Sequence, residues 1–89
     1  MLVTILKKKW NLRFTTNLKN LGDCDSPSET NKGIRICSKL KGEKQLEIIL
    51  HECLHASDWH KDEEFIIEQS RDLARILWRL GYRKKDDSP

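Results

Sequence analysis

The chain has little that would staple a small fold. Its three cysteines, Cys24, Cys37 and Cys53, are widely spaced and form no C-x-x-C pair. An odd count at such spacings argues against a secreted disulfide scaffold and for free thiols in a reducing cytoplasm, with a Cys24–Cys37 bridge as the alternative. No run approaches the ~18 uninterrupted apolar residues that a membrane span needs, so no membrane association is expected. The apolar start, Met1 to Leu6, is far too short for a signal peptide, and its charges follow the apolar run instead of preceding it. Nor is there a strong excess of one charge. The net charge is +3, too weak to argue for nucleic acid by itself.

What is present is one small, polar domain. A chain of 89 residues buries only about 60% or a little more of the surface its unfolded form exposes. Charged residues make up 35% and apolar residues 37%, so the core is small. A core of this size needs a disulfide, a metal or a partner to support it, and the cysteines make the disulfide the weakest choice. The charge is uneven. Residues 1–50 carry ten Lys/Arg against five Asp/Glu, with clusters at Lys7-Lys8-Lys9 and around Lys39, Lys41 and Lys44. Solvated surface is the simplest account of these, and a nucleic-acid partner is the alternative.

Periodicity predicts an α+β fold of two or three strands followed by two helices, filling residues 1–82, with a flexible tail at 83–89. Residues 2–6 are rich in β-formers, residues 10–14 alternate apolar and polar, and residues 34–37 form a short alternating strand. Residues 20–33, dense in Gly, Asp, Ser, Pro and Asn, read as a long loop. Residues 43–56 place Leu46, Ile49, Leu50, Cys53 and Leu54 on one helical stripe. Residues 62–81 do the same with Ile66, Ile67, Ser70, Leu73, Ala74 and Leu77, with Asp62 as N-cap and Gly81 as stop. The short link between them predicts an antiparallel helical hairpin.

The first helix contains His51-Glu52-Cys53-Leu54-His55, an H-E-x-x-H motif. Residues four apart on a helix lie one above the other, so both imidazoles project from one side and can bind a single Zn²⁺. They point nearly opposite the Leu46/Leu50/Cys53 stripe, which places them at the surface or in a cleft. Glu52 is about 100° round the helix from His51, beside the metal and not on it, in the position of a general base.

The motif, the helix around it and the second helix resemble the zincin metallopeptidases over roughly residues 10–81. The likeness is greatest to minimal, gluzincin-like, phage-type members, in which a loop similar to Gly22-Asp23-Cys24-Asp25 precedes the strand and helix. The resemblance implies a zinc-dependent peptidase acting on peptide or protein substrate, Glu52 as catalytic residue, and a third ligand from the second helix. It also implies an edge strand over the cleft, for which residues 34–37 come at the right point in the chain, with a central strand of a three-stranded sheet as the equal alternative for them. Glu63 and Glu64 are nearly level as third ligand. Glu63 shares a face with Ile67, Ser70 and Ala74, and Glu64 lies off that face. His60 and Glu68 follow. Tyr82, Arg35 and His60 are candidate oxyanion helpers, and Cys24 could reach the metal as a silencing thiolate. The alternative is a non-catalytic zinc-binding or nucleic-acid-associated module.

Overall fold

The computed structural model describes residues 1–16 and 19–85. Four strands, β1 (Leu2–Ile5), β2 (Lys8–Thr15), β3 (Gly22–Cys24) and β4 (Gly33–Cys37), precede two helices, α1 (Gly42–Ser57) and α2 (Glu63–Arg79). The expected α+β order, sheet first and helical hairpin last, holds. The sheet has one strand more than expected, in the order β1-β2-β4-β3.

β1 and β2 form an antiparallel hairpin closed by Leu6 and Lys7, both at positive φ, as a two-residue turn between twisted strands requires. β4 then runs parallel to β2, and β3 pairs antiparallel on the far side of β4. Residues 34–37 are therefore in a central strand, not an edge strand. The edge belongs to β3, inside the stretch read as loop. Its Gly-Asp-Cys composition carries no strand signal, and backbone pairing with β4 creates it.

Trp10 and Leu12 of β2, Ile34 and Ile36 of β4, and Ile48 and Ala56 of α1 form the core. α1 lies between the sheet and α2, so no residue from Gln45 to Ser57 is exposed. This corrects the single-stripe reading. The residues of α1 most fully buried are Gln45, Ile48, Glu52 and Ala56, and the expected Leu46, Ile49, Leu50, Cys53 and Leu54 are half-buried around them. Gln45 meets its hydrogen-bonding need by donating to the Leu40 carbonyl at 3.0 Å.

α2 covers α1 with Ile66, Ser70 and Ala74, while Leu73 is exposed. Asp62 caps α2, accepting from the Phe65 amide at 3.1 Å, and Gly81, at φ 95°, ends the helical run as expected. Arg83 is not part of a loose tail. Its Nη1 donates to the Trp78 carbonyl at 2.7 Å, and its guanidinium stacks on the Trp78 ring. The rest of the expected tail, residues 86–89, lies outside the described residues. No helix of the described residues is long and apolar enough to cross a membrane. The three cysteines are free thiols.

A dense ionic cluster sits on the sheet. Arg35 of β4 donates from Nε to Asp23 Oδ1 and from Nη2 to Asp25 Oδ1 at 2.7 Å. The hydrogen bond from Arg35 holds Asp25 below the usual carboxylate range, helped by the Gly33 amide at 2.9 Å. A folded-state pKa depressed in this way contributes stability that is present above the unfolded pKa, near 4. That stability disappears as pH falls through the folded value. Asp25→Asn should therefore lower the melting temperature at pH 7, and the gap to the parent protein should close below pH 4. Thermal melts of both proteins between pH 2.5 and 7 check this, and a gap independent of pH would exclude the ion pair as its source.

Candidate metal centre

His51 and His55 occupy successive turns of α1, and Glu63 is the first residue of α2. The helical hairpin folds so that this helix start comes level with the two imidazoles. His51 Nε2 is 3.1 Å from Glu63 Oε1, and His55 Nε2 is 2.8 Å from Glu63 Oε2. The two ring nitrogens are 3.1 Å apart, with the rings edge to face. Among the described residues, these three alone bring His, Cys, Asp or Glu donor atoms within 4.8 Å of one another.

This donor set fits a zinc ion. Zinc bonds of ~2.0–2.1 Å in a tetrahedral shell put ligand atoms about 3.3 Å apart, a few tenths of an ångström more than the separations here. Two ring nitrogens and a carboxylate aimed at one point also bring their lone pairs together. A proton or a cation between them relieves that repulsion. Burial holds His51 below its ordinary pKa, with the nearby Glu63 acting in the other direction, and the neutral ring is the form that binds metal. Glu63 is 58% exposed at its side chain, so it does not face the core as its stripe suggested. It heads the buried Ile66/Ser70/Ala74 stripe but lies beyond the core, where the cleft begins.

The other candidate ligands stay apart. Glu64, one position on, is exposed and belongs to no donor cluster among the described residues; His60 and Glu68 are likewise exposed and outside the cluster. Successive helical residues diverge by about 100°, so the rotation that turns Glu63 to the histidines turns Glu64 to solvent.

Glu52 lines the same cleft, which has a volume of about 480 Å³. It is 7% exposed, because β3 lies directly against it. A Cβ built on Gly22 would stand 3.1 Å from both Cγ and Oε2 of Glu52 and 2.9 Å from Ile48 Cγ2. Burial first, then the charges of Asp23 and Glu63, push the Glu52 carboxyl up to about 7. A carboxyl with that pKa can both take and return a proton near neutrality.

Cys24 also lines the cleft but lies outside the donor cluster. Burial, then the nearby Glu52, pushes its thiol up to about 12, and Sγ donates to the Asp25 carbonyl at 3.3 Å. A thiol held in this way is a poor source of the silencing thiolate. Among the expected oxyanion helpers, Arg35 is committed to Asp23 and Asp25, Tyr82 borders a separate apolar cavity, and His60 faces solvent. Trp59 stands at the cleft rim, 40% exposed.

The histidines, Glu52 and both glutamates are legible in the sequence, whereas Gly22, the surface against which Glu52 is buried, is not among the expected site residues. The available signal was the small-acidic alternation of Gly22-Asp23-Cys24-Asp25, which sets small residues on one face and carboxylates on the other once the segment is extended. Compared with protein-family models, curated proteins and solved structures, the chain matches none.

Proposed function

We propose that the protein is a minimal zincin-type zinc peptidase, with the ion held by His51, His55 and Glu63 and with Glu52 as general base and acid. The observation that carries this reading is the convergence of these three donors beside a buried carboxyl in an open cleft. Bound Zn²⁺ supplies Lewis acidity to a substrate carbonyl and to water, lowering the pKa of the water toward ~7. Glu52 accepts a proton from the attacking water and returns it to the departing amine, so the peptide bond is hydrolysed with no net proton change on the protein. The edge of β3 not paired to β4 offers backbone groups to an extended peptide lying along the cleft. Among the described residues the cluster offers three donors, which favours a catalytic over a structural ion, because structural zinc sites are closed by four protein ligands.

Metal analysis of protein purified without chelator tests the root of this reading. One zinc per chain is expected, and substoichiometric metal after zinc supplementation would end it. The choice of carboxylate has its own test. Glu63→Gln should weaken zinc binding about tenfold or more, whereas Glu64→Gln should leave it within about twofold, measured by competition with a zinc chelator. Equal effects at the two positions would remove Glu63 from the ligand set.

A further inference from the structure

We propose that Arg35 is a positioning residue for Glu52, acting through β3. The role of Glu52 is taken from the peptidase reading above; the contacts that place it are independent of that reading.

β3 has three residues and one strand neighbour. Its register sets Gly22 opposite Ile36, Asp23 opposite Arg35 and Cys24 opposite Ile34. Ile34 and Ile36 are fully buried beneath α1, so Gly22 and Cys24 share their face and meet the helix. Asp23 shares the opposite face with Arg35. The inward residues contribute little apolar area to hold so short a strand, since one has no side chain and the other a single thiol.

The outward residues supply what the inward ones lack. Arg35 reaches Asp23 through Nε, and Asp25 through Nη2 at 2.7 Å and Nη1 at 3.3 Å. One planar guanidinium thus bridges the two carboxylates on either side of Cys24. Five donors in a fixed fork suit that geometry, and an ammonium cannot reproduce it. With Asp23 and Asp25 held, the Gly22 backbone is held against the Glu52 carboxyl, where an added Cβ would force Ile48 and Glu52 to shift. The three clustered donors, His51, His55 and Glu63, sit on helices and none on β3, so loosening β3 should disturb the base without disturbing the ion.

The experiment compares the parent protein with Arg35→Met, Arg35→Lys and Gly22→Ala, reading zinc content, turnover of a peptide substrate, and the iodoacetamide labelling rate of each cysteine. Arg35→Met should keep its zinc, lose about tenfold to a hundredfold in turnover, and label Cys24 at least about tenfold faster while Cys37 and Cys53 hold their rates. Arg35→Lys should recover part of both effects. Gly22→Ala leaves the clamp intact and pushes on Ile48 and Glu52, so it should lose turnover at full zinc content; it also covers the case in which Arg35→Met fails to fold. Unchanged Cys24 labelling in Arg35→Met would overturn the proposal. So would a rise shared by all three cysteines, which would make Arg35 a general stability residue. A zinc-loaded parent protein that hydrolyses nothing would defeat the peptidase reading instead, and the Cys24 pattern would still decide whether Arg35 holds β3 against Glu52.

Discussion

Glu52→Gln should abolish hydrolysis, by about 10²–10⁴-fold in kcat, while leaving zinc content and melting temperature close to those of the parent protein. The amide has the shape of the carboxyl, so the contact with Gly22 survives. It cannot accept a proton, so the water loses its base. Zinc binding is expected to persist because Glu52 is outside the donor cluster of His51, His55 and Glu63. Glu52 is also buried and already disfavoured as an anion by its surroundings, so a neutral replacement leaves no buried partner without its charge. Peptide-cleavage assays, metal analysis and a thermal melt on one preparation check all three statements. Unfolding of the variant would make Glu52 a structural group, and full activity would remove it from the mechanism.

Chelation should destabilise the fold as well as stop the reaction. Among the described residues the buried apolar side chains number eight, with Ser70, Gln45 and Glu52 also buried, which is a thin core for this chain length. The proposed ligands come from both arms of the helical hairpin, two from α1 and one from the first residue of α2. An ion shared by them ties the hairpin at its turn, between Ser57 and Glu63. An ion that binds only the folded chain stabilises it by about 4 kcal/mol when its free concentration is a thousand times the dissociation constant. In a domain of this size each kcal/mol moves the melting temperature by roughly 4–8 °C. Removing zinc from the saturated protein should therefore lower the midpoint by at least about 10 °C, and His55→Ala should show the lower midpoint with or without chelator. Calorimetric scans of both proteins with and without chelator make the test. A midpoint that ignores chelation would mean that the core suffices and the metal has no part in the fold.

Much of this protein is legible in its sequence, and what is legible is local. The two helices follow from apolar periodicity, the Asp62 cap from its hydrogen bond to the helix start, and the end of α2 from the conformational freedom of Gly81. The shared direction of His51 and His55 follows from helical geometry alone, whatever surrounds the helix. Other features were hidden because they depend on neighbours distant in the chain. β3 has no strand signal of its own and exists because β4 offers a backbone to pair with and Arg35 fastens Asp23 and the adjoining Asp25. The wheel for α1 failed because a helix covered by the sheet on one side and by α2 on the other has no single buried stripe.

By itself, the sequence determined that a helix would carry two imidazoles on one side and that a second helix would fold back beside it. It left two adjacent carboxylates open at the start of that second helix. Only tertiary packing separated Glu63 from Glu64, because the rotation of α2 about its axis is set by seating Ile66, Ser70 and Ala74 against α1. Tertiary structure also buried Glu52, since the covering strand lies 30 residues away in the chain and reaches the helix only once β4 has paired with it.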